Sequence, residues 1–184
     1  MIKVFIGGSR HVSRLSPAVR QRIDKITAKN FPILVGDANG ADKAVQTYLH
    51  GKHYKNVQVF CTEGACRNNI GDWDLRTVPA DTRERNAQFY SAKDRVMAEE
   101  ATIGFMVWDG NSVGTLMNAL RLLAMQKKVV IYIAPDKAFR EFRGRAEWCE
   151  FLATCDPDIR RKLEQRATSE KRSTRSDLQT SFLG

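Results

Sequence analysis

The sequence contains no apolar run approaching the roughly 20 residues that cross a bilayer, so neither a spanning helix nor a membrane partner is expected. Histidine and cysteine are scarce: three and four among 184 residues. The cysteines stand at 61, 66, 149 and 155, as C-x4-C and C-x5-C. Neither spacing is the C-x2-C pair of structural zinc sites, and His11, His50 and His53 add no ligand pattern to them. No metal and no other cofactor is expected, and the cysteines read as reduced structural thiols. The opening MIKVFIGGSR reaches glycine too soon for the apolar core of a secretory signal, so the expected compartment is the cytoplasm. Acid is also in short supply, with 21 Asp and Glu against 30 Lys and Arg and a net charge of +9. Much of that excess lies in residues 1–30, where Lys3, Arg10, Arg14, Arg20, Arg22, Lys25 and Lys29 face Asp24 alone. Such a surplus fits an anionic partner, and it equally fits a solvated helix face.

The composition itself is ordinary for a globular chain, with 42% hydrophobic and 28% charged residues. The length suits one domain with a real core. Strand-like and helix-like segments alternate. IKVFI (2–6), ILV (33–35), VQVF (57–60), IGFMVW (103–108) and VVIYI (129–133) read as buried strands. Ser16-Pro17 reads as an N-cap and first helical residue, opening a helix to about Lys29. Further helices are expected from Gly40-Ala41-Asp42 to about His50, from about Glu84 to Ala101, and from Val113 to about Gln126. Residues 62–84 show no period and read as a long loop of the kind that forms lids. One or two helices follow Asp136. The Ser-, Thr-, Lys- and Arg-rich stretch 168–184 reads as a mobile tail. This order predicts an α/β fold: a Rossmann-like parallel sheet of about five strands with helices on both faces. Ligands of such sheets bind beyond the carboxyl ends of the strands.

Three strand ends carry glycine-rich polar loops. After the first strand comes Gly7-Gly8-Ser9-Arg10, whose backbone N–H groups can cradle a phosphate and whose arginine can clamp it. After the second comes Gly36-Asp37-Ala38-Asn39-Gly40-Ala41-Asp42, leading into a helix. Its two aspartates would repel phosphate, and they suit a ribose hydroxyl or a helix cap. After the fourth comes Trp108-Asp109-Gly110-Asn111-Ser112-Val113-Gly114-Thr115, again opening a helix. Glycine also supplies ordinary turns, but three such loops at one sheet edge predict a ligand pocket.

GGSR (7–10), GDANGADKA (36–44) and VGT (113–115) resemble the SLOG superfamily. That superfamily includes the LOG-type phosphoribohydrolases, the DprA proteins that load single-stranded DNA, and the YspA-like group. The GxxxGAD element is closest to the YspA-like group, and the resemblance covers about residues 1–134. It implies a Rossmann-like domain for nucleotide-derived ligands over 1–134; the residues themselves then read as a helical extension over 135–167 and a tail over 168–184. LOG-like relatives also imply a homo-oligomer. LOG-type enzymes cleave the bond between base and ribose with an Arg-Lys pair and P-G-G-x-G-T-x-x-E-E. This chain has Lys93-Asp94, then Trp108-Asp109-Gly110, with Met117 and Asn118 at the positions of the two glutamates.

Three readings follow. The first is a protein that binds a nucleoside phosphate or an ADP-ribose-like ligand. Its phosphate would lie on Gly7, Gly8, Ser9, Arg10, Ser112, Gly114 and Thr115. Its ribose would lie near Gly36, Asp37, Gly40, Ala41 and Asp42, with Tyr90, Lys93 and Arg76 contributing. The second is a nucleotide N-glycosidase, whose oxocarbenium-like transition state needs a carboxylate; Asp94 and Asp109 are the candidates, while Asp94 also suits a surface helix position and Asp109 a turn. The third is a DprA-like binder of single-stranded nucleic acid. Trp73 and Arg76 suit either base stacking and phosphate closure or plain packing of the loop. FREFRGR (139–145) suits nucleic-acid contact or an amphipathic helix, with Phe139, Phe142 and Trp148 as core residues.

Overall fold

Alternating β-branched and amphipathic segments wind this chain back and forth across one sheet. The computed structural model describes residues 1–64, 66–80 and 87–181, with side chains at 1–64, 66–80 and 88–172. The elements run β1 (Val4–Gly8), α1 (Pro17–Thr27), β2 (Ile33–Gly36), α2 (Ala41–Gly51), β3 (Val57–Thr62) and β4 (Asp74–Val78). They continue α3 (Ala87–Glu100), β5 (Ile103–Trp108), α4 (Val113–Ala124), β6 (Lys128–Ile133), β7 (Ala138–Phe142), α5 (Arg145–Thr154) and α6 (Pro157–Ser181). Among the described residues the seven strands form one sheet in the order β4-β3-β2-β1-β5-β6-β7. All neighbours are parallel except β6 and β7. The fold is therefore α/β and Rossmann-like, as the alternation predicts.

Successive residues of a strand point to opposite faces, and each face has its own core. Val4, Ile6, Ile33, Val35 and Val59 pack under α1 and α2, whose Val19, Ile23, Val45 and Leu49 are fully buried. Phe5, Leu34, Phe60, Met106 and Ile131 pack against α3, α4, α5 and the first turns of α6 through Met97, Leu116, Leu122, Phe151 and Leu163. The helix starts follow their capping chemistry. Ser16 Oγ accepts the Val19 N–H ahead of Pro17, and Ser112 Oγ accepts the Thr115 N–H at the head of α4.

Two segments differ from the sequence reading. Residues 74–78 form an edge strand, β4, inside what reads as loop. Four of its five residues are exposed, so it lacks the apolar signature of the buried strands and is held by backbone pairing to β3. Residues 138–142 form β7, antiparallel to β6, where a helix is expected. Phe139 and Phe142 stand three apart, which mimics a helical face. In a strand that odd spacing sends them to opposite sides: Phe139 against Tyr132 and Phe105, Phe142 against Trp148 and Phe151. The sheet thus has seven strands rather than about five. The expected helix start near Glu84 lies outside the described residues. In the expected tail, α6 continues to Ser181, and residues 182–184 lie outside the described residues. No helix of the described residues is long and apolar enough to cross a membrane.

Candidate functional site

The strand order fixes where a crevice must open. From β1 the chain moves outward through β2, β3 and β4, then α3 carries it back to β5 on the other side of β1. The connections therefore diverge between β1 and β5, and the carboxyl ends of those two strands frame the gap. A cavity of about 890 Å3 lies there. It is lined by residues following β1 and β5, by α3, by the first turns of α4, and by one side of α6.

Its floor is a loop assembly. Ser9 is fully buried; its hydroxyl donates to Asp109 Oδ2 at 2.7 Å. Asp109 Oδ1 accepts the N–H groups of Asn111 and Ser112 at 3.0 and 2.8 Å. Burial pushes the Asp109 carboxyl up, but the Ser9 hydroxyl and these N–H groups outweigh it and hold it below its ordinary range. Asp109 thereby shapes the turn that delivers Ser112, Gly114 and Thr115 at the N-terminus of α4. Ser9 also accepts the Ala41 N–H through its carbonyl at 3.0 Å, tying the first glycine loop to the second. Gly8 and Gly40 are required by this contact. A Cβ on Gly8 would lie 2.3 Å from the Val107 carbonyl oxygen, and Gly40 has φ +84° with the Arg10 backbone against it.

Behind the floor lies a buried charge cluster. The Lys93 side chain on α3 is 3% exposed, and its Nζ lies 2.8 Å from Asp94, 3.7 Å from Asp37 and 3.9 Å from Asp42. Burial pulls the lysine down, but the three carboxylates outweigh it and raise it above its ordinary value. Asp37 is held by the Arg67 backbone N–H at 2.9 Å and by its guanidinium at 3.2 and 2.8 Å. Burial raises Asp37, yet the Arg67 bonds and the Lys93 charge leave it lowered. Asp42 has less support: one 3.2 Å bond from the Ala38 N–H and the more distant lysine. Burial, with Asp94 and Asp37 adding to it, pushes Asp42 up to about 6. Gly36 sits beneath this cluster, where a Cβ would come within 2.3 Å of Asp42 Oδ2.

The rim is cationic. Among the described lining residues, Arg10, Arg67, Lys93, Arg95, Arg121, Lys162 and Arg166 outnumber Asp42, Asp94, Asp109 and Glu170. The Arg67 guanidinium lies over the Tyr90 ring at 4.4 Å, and Arg10 approaches the same ring at 5.6 Å. On α4, Asn118 donates to Asp94 Oδ2 at 3.4 Å and accepts from Arg121 Nη1. Arg166 of α6 stands beside Gly114.

The site residues expected from sequence divide into two shells. Gly8, Arg10, Asp42, Tyr90, Lys93, Asp94, Asp109, Ser112, Gly114 and Thr115 line the cavity. Gly7, Ser9, Gly36, Asp37, Gly40 and Ala41 belong to the strand ends, loops and helix start beneath and beside it. Arg76 lies elsewhere: on the exposed edge strand β4, paired with Glu100 at 3.7 Å. Trp73 is buried, and its indole N–H donates to the Tyr54 carbonyl at 2.9 Å, so it packs its loop down. That loop is pinned further by Gln46, whose Nε2 donates to the Gly36 carbonyl and whose Oε1 accepts the Ile70 N–H. The sulfurs of Cys61 and Cys66 meet across a Cα separation of 5.0 Å, a span a disulfide can bridge, where the sequence reads separate reduced thiols. The turn after β3 brings the two sulfurs together, and it also aims the adjacent Arg67 at Asp37. Sequence reasoning missed Arg67, Arg121 and the part of α6 in lining the cavity. The signal for Arg67 was the run Arg67-Asn68-Asn69 after a strand, where Asn68 donates to the Asp37 carbonyl at 2.7 Å.

No family model matches this chain, and no curated protein matches it. Among solved structures, DNA processing protein A from Helicobacter pylori, described for its single-stranded DNA binding mode, matches with a TM-score of 0.54. The identity is 15%, over 91% of this chain and 81% of that one. At that identity the likeness is one of fold, and it agrees with the Rossmann-like sheet described above.

Proposed function

We propose that the cavity receives a nucleotide-derived ligand, and that the chain is a SLOG-like protein of the YspA-like kind. The observation carrying this reading is the N-terminus of α4 opening into a cation-rimmed cavity at the point where the strand connections diverge. A helix N-terminus with free N–H groups attracts a phosphate. A volume near 890 Å3 lies within the range of small-molecule sites. In this reading the phosphate meets Ser112, Gly114, Thr115 and Arg10. The ribose faces Asp94 and Asp42 on the opposite wall. The buried Lys93 fixes those carboxylates, and Asp37 and Arg67 support them from behind. The base lies toward Tyr90, whose ring contacts Arg67 and Arg10.

The experiment is incubation with a panel of nucleoside phosphates and NAD, followed by chromatography with mass detection of bound and released material. Retention of an intact nucleotide supports a binding protein. Release of a free base, lost in Asp94→Asn, supports N-glycosidic cleavage with Asp94 stabilising the oxocarbenium-like state. Asp109 is spent on holding its turn, so Asp94 is the carboxylate retained for that chemistry. The absence of both retention and release at millimolar ligand defeats the proposal.

A second reading draws on the +9 charge and on the fold shared with a protein described as binding single-stranded DNA. It requires oligonucleotide affinity that falls steeply between about 50 and 200 mM salt. Fluorescence anisotropy with a labelled oligothymidine measures this, and an absent or salt-independent signal removes it.

A further inference from the structure

The cavity continues along α4 to a second cationic group. Gly114, Asn118 and Arg121 follow i, i+4, i+7 spacing and so share one face of the helix. Arg121 lies about 10 Å along the axis from Gly114, and its side chain bends back to Asn118 Oδ1, toward the helix N-terminus. The guanidinium is nearly buried, at 10% exposure. It is occupied by the chain itself: Nε and Nη2 donate in parallel to the two carboxylate oxygens of Glu170 on α6, at 2.8 and 2.6 Å. Both partners line the cavity.

That fork geometry suits a carboxylate and a phosphate alike. The apolar contacts of α6 with the body come from Ile159, Leu163 and Ala167. The next five residues, Thr168 to Arg172, are all polar or charged. Among the described side chains past Ala167, then, the grip of Arg121 on Glu170 holds α6 to the body. An internal carboxylate thus fills an oriented guanidinium inside a cavity that otherwise favours anions.

We propose that Arg121 is a second anion subsite of this cavity, occupied by Glu170 in the free protein and surrendered to the distal phosphate of a polyphosphate-bearing ligand. The inference rests on the nucleotide reading for the first phosphate, at the head of α4. It narrows the ligand class to molecules with two or more linked phosphates.

Inorganic tripolyphosphate is the probe, because it carries the phosphate chain without a base. Calorimetric titration compares the wild-type chain with Glu170→Gln, with Glu164→Gln, and with the Glu170→Gln/Arg121→Gln double variant. Glu164 is exposed on another side of α6 and controls for removal of one negative charge. Glu170→Gln is expected to bind on the order of tenfold tighter, the worth of one released charged hydrogen-bond pair. Glu164→Gln is expected to change affinity less than about twofold, as surface charges do. The double variant is expected to lose the gain. Equal or weaker binding by Glu170→Gln overturns the proposal, as does an equal gain in Glu164→Gln.

Hydrogen exchange of the wild-type chain supplies a test that needs no variant. Tripolyphosphate is expected to speed exchange in α6 beyond Ala167, and unchanged or slower exchange there overturns the displacement. The two readings fail separately. Nucleotide retention without a Glu170→Gln gain removes the second subsite alone. A tripolyphosphate gain without any nucleotide retention removes the nucleotide reading alone.

Discussion

Replacing Asp42 by asparagine isolates one ionisation in the buried cluster. The Asp42 carboxyl titrates at about 6 in the folded protein, against an ordinary value of 3.8, because burial disfavours its charged form. The folded state therefore binds this proton more tightly than the unfolded chain does. Proton binding stabilises the fold: the gain is complete below 3.8 and gone above about 6. The whole gain is ~3 kcal/mol at about 1.4 kcal/mol per unit. Between pH 4.5 and 7.5 about 2 kcal/mol of it is lost. Asparagine keeps an acceptor for the Ala38 N–H and carries no charge, so Asp42→Asn lacks this component. The assay is thermal or urea unfolding of both proteins at the two pH values. The difference in stability between variant and wild type should move by about 2 kcal/mol in favour of the variant as pH rises, or roughly 4–8 °C in Tm for a chain of this size. Carboxylates remote from Asp42 cancel in that difference. A difference that stays constant across the range refutes the assignment of a strained, buried carboxylate to Asp42.

Three other outcomes are expected. Lys93→Met removes the cation shared by Asp37, Asp42 and Asp94 and should cost about 3–5 kcal/mol in urea unfolding; a loss below about 1 kcal/mol shows that the carboxylates do not depend on it. Gly40→Ala should cost about 2–3 kcal/mol, because φ is +84° and the new Cβ meets the Arg10 backbone, while Gly51→Ala, with open space around it, should be neutral or slightly stabilising. Thiol titration of the unfolded, unreduced chain should count two of the four cysteines, Cys149 and Cys155, rising to four after reduction; four at the outset removes the Cys61–Cys66 bond.

The sheet was legible wherever strands are buried on both faces. IGFMVW and VVIYI announce themselves by composition, and Ser16-Pro17 marks a helix start through capping. β4 was hidden because an exposed edge strand has no apolar run to show. β7 was hidden because two phenylalanines three apart satisfy a helical period as well as two opposite sheet faces.

The site was legible at the strand ends, where glycine and aspartate gather, but their roles were less so. Gly8, Gly36 and Gly40 read as cradles for a ligand, and the structure uses them to let loops and side chains pack closely. Asp109 read either as a candidate catalytic carboxylate or as a turn residue, and its bonds to the Asn111 and Ser112 N–H groups clasp a turn. Arg76 carried no signal to distinguish it from Arg67, nine residues earlier. Only the long-range pairing of Arg67 with Asp37 separates them. Arg121 and Glu170 are 49 residues apart and meet because α6 folds back over α4, a contact with no local signature.

The central position of β1 has a consequence for folding order. Val4 pairs with Ile33 on one side and with Ile103 on the other. The first partner arrives after a single helical crossover through α1, the second only after the chain has travelled on through α2, β3, β4 and α3. Ser9 and Asp109, which close the cavity floor, stand 100 residues apart. Contacts of such separation carry the largest loop-closure cost and weigh most on folding speed. The crevice is thus a seam between two stretches of chain, and neither contains it alone. A ligand seated there recognises only a molecule whose two stretches have joined, so occupancy stabilises the completed state by mass action. Such a ligand would act as a check that assembly is finished.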